Sequence, residues 1–228
     1  MSLMAVSPAV GANVEIGSFK GRSTVGLAYV ANALDLGEIT AIDPHTAPSV
    51  TDPDLNGAPT SYDDFVRNIT SSGIAEAVDI RRAYSQDVAK DWQEPIRFLW
   101  IDGDHTYEGA LHDIDVFKPF LADGAVVAMH DVLGTFEGSL RVFIEEVLDC
   151  DEFGPAGFSG SIGWAQYRPR DGARFHLRRK LLATPARKLI PVAAAGGLVG
   201  WNKYVYKFWR PLAPHGDVKV SKLQKLFQ

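Results

Sequence analysis

Two stretches of the chain concentrate the groups able to do chemistry. Phe98-Leu99-Trp100-Ile101 runs into Asp102-Gly103-Asp104-His105-Thr106-Tyr107-Glu108, and Val126-Val127-Ala128-Met129 runs into His130-Asp131. In each, an apolar run delivers carboxylate and imidazole groups to its carboxyl end, the edge at which ligands bind in open α/β sheets. Adjacent strands ending in Asp102 and in His130-Asp131 would converge on one hard cation, which prefers oxygen donors and keeps waters. Asp102, His130 and Asp131 are therefore the expected metal ligands. The plainer alternative is that Asp104 caps the following helix while His130 and Asp131 merely solvate a strand end.

A third stretch, Val14-Glu15-Ile16-Gly17-Ser18-Phe19-Lys20-Gly21, ends a strand in a glycine turn with a helix immediately after it. Glycines there let a ligand approach the backbone, and the helix start offers free N–H groups with positive dipole character. A nucleotide-like ligand suits such a turn. The spacing is Gly-x-x-x-Gly, not the Gly-x-Gly-x-x-Gly fingerprint, so a dinucleotide pyrophosphate is less well served. Asp43 follows Gly21 by 22 residues at the end of the next strand, where its carboxylate would accept hydrogen bonds from ribose hydroxyls.

The elements that must position these residues follow from hydrophobic period. Short β-branched runs predict strands over 13–16, 38–43, 78–82, 96–102 and 125–130, with a last strand closing the domain near 160–167. Between them, amphipathic stretches predict helices over 23–34 (capped by Ser23 or Thr24, with Val25, Leu27, Ala28, Ala31 and Leu34 inward), from a capping Ser61 with Phe65, Val66 and Ile69 inward, over 107–120 and over 136–148. The alternation is that of a mostly parallel sheet with helices on both faces. Residues 44–59 are rich in Pro, Thr and Asp and carry no apolar period, which predicts a functional or mobile loop.

Taken together, Glu15-Ile16-Gly17-x-x-x-Gly21, Asp43-Pro44-His45, Ile101-Asp102-Gly103-Asp104-His105-x-Tyr107-Glu108 and Val127-x-x-His130-Asp131 resemble the class I S-adenosylmethionine-dependent methyltransferases. The nearest subgroup is that of metal-dependent O-methyltransferases acting on sugars and natural products. The resemblance runs from about Val10 to Tyr167. It implies a three-layer Rossmann-like α/β fold, S-adenosylmethionine as cofactor, Mg2+ or another divalent cation, and a small-molecule hydroxyl acceptor. By position, it places Glu15, Gly17, Ser18 and Gly21 around the methionine portion of the cofactor, Asp43 at its ribose and Ser85 at its adenine. Asp102 then borders both cofactor and metal. Relatives usually have an acidic or amide residue beside the last aspartate, so His130 is a departure. Methyl transfer needs an aligned oxygen nucleophile and an acceptor for its proton. The relatives point to Asp104 as that acceptor, with His105 as the rival because imidazole is the side-chain type suited to proton transfer near neutrality. Asp102-Gly103-Asp104 also resembles the Asp-x-Asp metal site of nucleotide-sugar glycosyltransferases, which leaves the Glu15 to Gly21 turn unexplained. A non-catalytic, membrane-associated binding module is a further alternative.

The chain has 228 residues, 46% hydrophobic and 22% charged, enough for one full α/β domain with an appendage. A single cysteine, Cys150, excludes an intrachain disulfide and a four-cysteine zinc site. Met1-Ser2-Leu3 ahead of Met4 reads as a cloning scar, and no secretion signal is recognisable, so a cytoplasmic protein is expected. Charge splits sharply at Tyr167: nine cationic and 26 acidic residues lie up to that point, net -17, against 14 and two beyond it, net +12. The predicted division is a cofactor-binding domain over 4–167 and a basic, aromatic-rich extension over 168–228. The apolar run from Leu189 to Trp201 is too short to span a bilayer. Trp201, Tyr204, Tyr206, Phe208 and Trp209 interleave with Lys203, Lys207 and Arg210. The extension would pack on its own acidic domain or in a homo-oligomer, or rest peripherally on the inner membrane surface. Nucleic acid is the least favoured partner.

Overall fold

A computed structural model of the chain describes residues 1–46, 59–134, 136–195, 198–213 and 219–227. Most of the proline-rich loop expected between Asp43 and Ser61 lies outside them. The strands are β1 (Ala12–Ile16), β2 (Ile39–Ile42), β3 (Val78–Arg81), β4 (Ile96–Ile101), β5 (Leu121–Met129), β6 (Phe153–Ser159) and β7 (Ile162–Tyr167). They form one sheet in the order β3-β2-β1-β4-β5-β7-β6. The first five pair in parallel, and β7 runs antiparallel between β5 and β6. The helices are α1 (Ser2–Val6), α2 (Arg22–Leu34), α3 (Tyr62–Ser71), α4 (Ser85–Lys90), α5 (Tyr107–Phe117), α6 (Glu137–Val142), α7 (His176–Arg187), α8 (Ile190–Ala194), α9 (Trp201–Trp209) and α10 (Val220–Phe227).

The side-chain period of two along each strand builds the two helical layers. Leu99, Ile101, Val127 and Met129 enter one apolar cluster with Ile114 and Phe117 of α5 and Leu140 of α6. Their neighbours Phe98, Trp100, Val126 and Ala128 enter the other with Leu27 and Ala31 of α2 and Phe65 and Ile69 of α3. Central strands buried on both faces read as near-continuous apolar runs, which is why β4 and β5 stand out in the sequence.

Several expectations are corrected. The closing strand is one of an antiparallel pair: β6, with Gly154, Pro155 and Gly157, shows no strand period yet forms the sheet edge, where proline is tolerated. Gly21, with a φ of 83°, occupies the N-cap of α2 in place of Ser23 or Thr24. Leu34 at the end of that helix is exposed. Ser61 precedes α3 but makes no capping hydrogen bond, and Thr106 is the side chain that caps α5, accepting from the Gly109 N–H at 3.1 Å.

The extension lies against the sheet's helical layers. Ala183 and Ala186 of α7 join the first cluster, and Leu223 and Phe227 of α10 join the second. Arg179 is fully buried and donates to the carbonyls of Leu148 (3.0 Å), Gly172 (2.7 Å) and Phe153, and to the Asp151 carboxylate (3.0 Å). Among the described residues no helix is long and apolar enough to cross a membrane.

Candidate active site

The chemistry-bearing residues gather at the carboxyl ends of β1, β2, β4 and β5, where the strand order reverses direction between β1 and β4. In parallel register Glu15 stands beside Trp100 of β4 and Ala41 of β2, so the turns after these strands open side by side. Gly17 has a φ of 83°, and a Cβ added there would lie 2.2 Å from the Asp102 carbonyl oxygen. Only glycine lets the β1 and β4 turns meet this closely.

Glu15 is fully buried at the end of β1. Its Oε2 accepts from Thr24 Oγ1 at 2.5 Å, while Oε1 and the nearby Ser18 Oγ are buried without a hydrogen-bond partner among the described residues. Burial pushes the Glu15 carboxyl up to about 7, the hydroxyls of Ser23 and Thr24 acting in the opposite sense. The hydroxyls expected to cap α2 thus serve Glu15 instead. Asp43 closes the same turn from the other side: Oδ2 accepts from the Phe19 N–H and Oδ1 from the His45 N–H, each at 2.7 Å. His45 is buried, and its Nδ1 lies 2.8 Å from Ser61 Oγ, which explains why Ser61 does not cap α3. Burial lowers the His45 imidazole from its ordinary range.

Beyond β4 and β5 the side chains of Asp102, His105, His130 and Asp131 converge. One ligand atom each from Asp102, His105 and His130 lies within 4.8 Å of the others. His130 Nδ1 is 3.1 Å from Asp102 Oδ1 and 3.5 Å from Asp131 Oδ2. His105 Nε2 is 3.5 Å and 3.6 Å from the same two oxygens. Hydrogen bonds to Asp102 and Asp131 raise the His130 imidazole to about 10, and the bond to His130 holds the Asp131 carboxyl below its usual value. The His105 ring is stacked on Phe136 with centroids 4.5 Å apart. Gly138 allows that approach, since a Cβ there would be 2.4 Å from the His105 carbonyl oxygen.

Asp104 turns toward the start of α5, its Oδ1 accepting from the Thr106 N–H at 2.9 Å. Ser85, at the start of α4, donates to Asp113 Oδ1 at 2.6 Å. Asp113 escaped the sequence reading. It lies on the same face of α5 as Ala110, Ile114 and Phe117, and a carboxylate on an apolar helix face was the available signal. Burial raises its carboxyl to about 7. Its Oδ2 lies 2.6 Å from where a Cβ on Gly103 would sit, so it lines the underside of the β4 turn.

Residues 14–132, more than half of the chain, match the family model of a methyltransferase domain. The chain belongs to that family. For this methyltransferase, solved structures of similar fold include CalS11, a TDP-rhamnose 3'-O-methyltransferase of calicheamicin biosynthesis, at TM-score 0.54 and 16% identity over 72% of this chain and 75% of that one. The O-methyltransferase NovP aligns at TM-score 0.56 and 17% identity, covering 70% and 72%. An O-methyltransferase from Bacillus cereus in complex with SAH aligns at TM-score 0.53 and 16% identity, covering 72% and 76%. These likenesses establish the Rossmann-like methyltransferase fold. Family membership also sets aside the glycosyltransferase reading of Asp102-Gly103-Asp104, because it accounts for the Glu15 to Gly21 turn that reading left over.

Proposed function

We propose that this methyltransferase carries a methyl group from S-adenosylmethionine to a hydroxyl oxygen of a sugar or polyhydroxylated metabolite, assisted by a divalent cation. The observation that carries the reading is the convergence of Asp102, His105, His130 and Asp131 beside a glycine turn whose buried acceptors, Glu15 Oε1 and Ser18 Oγ, have no hydrogen-bond partner among the described residues. Such atoms fit a cofactor that brings its own donors, an ammonium or hydroxyl, into the turn. The sugar-directed CalS11 and the SAH complex of the Bacillus enzyme support the acceptor and cofactor classes respectively. Two imidazoles beside two carboxylates fit a divalent ion, and imidazole donors favour the first-row transition series over Mg2+.

In this reading Glu15, Gly17, Ser18 and Gly21 hold the methionine end of the cofactor, Asp43 its ribose, and Ser85 its adenine side together with Asp113. Asp102, His130 and Asp131 hold the cation, and His105 borders the same space. Bound together, the sulfonium supplies an already activated methyl group and the cation acidifies and orients the acceptor hydroxyl. The chain must then keep the acceptor oxygen in line with the methyl and take up the hydroxyl proton. His105 Nε2 lies 3.5 Å from Asp102 Oδ1 and 3.6 Å from Asp131 Oδ2, the oxygens that would hold the cation, while Asp104 Oδ1 is engaged with the α5 backbone. His105 is therefore the favoured proton acceptor and Asp104 a positioning group.

Calorimetric titration with S-adenosylhomocysteine, followed by methyl-transfer assays on sugar hydroxyls with Mg2+, Mn2+ and Zn2+, tests the proposal. Tight homocysteine-cofactor binding and metal-stimulated O-methylation are expected. Cofactor binding without transfer to any hydroxyl would remove the acceptor class, and absence of cofactor binding would remove the whole reading.

A further inference from the structure

Helix α9 turns three of its five aromatic side chains away from the core, which a helix that only packs on a core does not require. Tyr206 and Trp209 face the first core cluster, while Trp201, Tyr204 and Phe208 are 78%, 65% and 63% exposed. At the helical period these three fall in one stripe, with Lys203 and Lys207, one turn apart, along its flank. The stripe is braced: the Trp201 and Tyr204 rings lie 6.0 Å apart, and Phe208 stands edge-on to the inward Trp209 at 5.1 Å. Val199, just ahead of the helix, is exposed as well. Clustered exposed aromatics of this kind mark a contact surface. No Asp or Glu occurs from 172 to 216, so this segment adds only positive charge around them.

We propose that the outer face of α9 docks on an anionic lipid bilayer, with the three rings at the headgroup boundary and Lys203 and Lys207 against lipid phosphates. Aromatic rings with a polar tip settle at that boundary, and long cationic side chains beside them reach the headgroup charges. Arginine and tyrosine on the inner side fix where the docked helix stands relative to the site. Tyr206 Oη donates to the Leu133 carbonyl at 3.2 Å and Arg210 to the Gly160 carbonyl at 2.8 Å. Those carbonyls belong to the turns that carry Asp131 and its hydrogen-bond partner Ser161. Docking would thus bring the rim of the cleft to the lipid surface, and it stands independently of the acceptor's identity.

The test is flotation of the full chain with phosphatidylglycerol-containing vesicles and with phosphatidylcholine vesicles, at low and high salt. Flotation with the anionic vesicles alone, reversed by salt, is expected. Trp201→Ser with Tyr204→Ser and Phe208→Ser should abolish it while leaving the thermal unfolding temperature and S-adenosylhomocysteine binding unchanged. Lys203→Gln with Lys207→Gln should weaken it roughly 25-fold, from about fivefold per lysine. Absence of flotation by the natural chain overturns the proposal, as does flotation unaltered in both variants. A concentration-dependent dimer by light scattering that the triple variant dissolves, with no flotation, would assign the face to a second copy and also overturn it. Should the triple variant unfold, the double lysine variant decides alone.

Discussion

Asp113 offers the sharpest physical test, because its carboxyl sits inside the protein yet belongs to no ion pair among the described contacts. Burial moves it from 3.8 to about 7, opposed by the Ser85 hydroxyl. For an acid with a raised folded-state pKa, the unfolded chain releases its proton first as pH rises, so stability falls. The loss begins near 3.8, grows by about 1.4 kcal/mol per pH unit and levels off above about 7. At pH 8.5 the penalty is therefore about 4 kcal/mol, and at pH 5 between about 1 and 2 kcal/mol. Asp113→Asn keeps an acceptor for Ser85 and removes the charge. At about 2–4 °C per kcal/mol for a chain of this size, the variant should unfold roughly 10 °C higher than the natural protein at pH 8.5 and only a few degrees higher at pH 5. Melting curves of both proteins across this range, without cofactor, read the difference directly. A gain independent of pH, or a variant less stable at pH 8.5, would refute the buried-charge account and mean that the ionised carboxylate has a compensating partner.

Three further outcomes follow from other parts of the site and core. Asp102→Asn takes the negative charge from the first of the two carboxylates that raise His130 while leaving an acceptor, so its imidazole should fall from about 10 toward 6.5, read by NMR titration of the ring protons; an unmoved titration would assign the shift to Asp131 alone. Gly17→Ala places a Cβ 2.2 Å from the Asp102 carbonyl at a φ of 83°. It should cost at least about 1–2 kcal/mol and abolish S-adenosylhomocysteine binding by calorimetry. Arg179→Ala leaves three carbonyls without their buried donor and should cost about 3–5 kcal/mol in urea unfolding.

What the sequence disclosed depended on how local the physics was. The parallel strands β4 and β5 were legible because burial on both faces leaves a near-continuous apolar signature, and their polar carboxyl ends drew the candidate metal ligands with them. β6 was not, since at a sheet edge its glycines and proline are no handicap and its partner β7 lies across a turn. Capping failed for a tertiary reason: Thr24 and Ser61 have the right chemistry, but Glu15 and His45 claim their hydroxyls. The sequence offers Asp104 first and His105 as its rival for the proton, and only the turn after β4, pressed by Phe136, brings His105 within reach of both Asp102 and Asp131. The pairing of Ser85 with Asp113 spans 28 residues, and no motif links them.

Arg179 changes what a shortened chain can tell. Its guanidinium acts as an internal plug, joining the carbonyl at the end of one turn, an edge-strand carbonyl and Gly172 from a helix that lies well past Tyr167. Cutting the polypeptide at Tyr167 would remove Gly172 together with the plug and strand the Leu148 and Phe153 oxygens in an apolar setting, so a truncated protein would report first on lost solvation balance and only second on any missing partner. Surface substitutions that leave the plug seated isolate the role of the cationic segment; deletion does not.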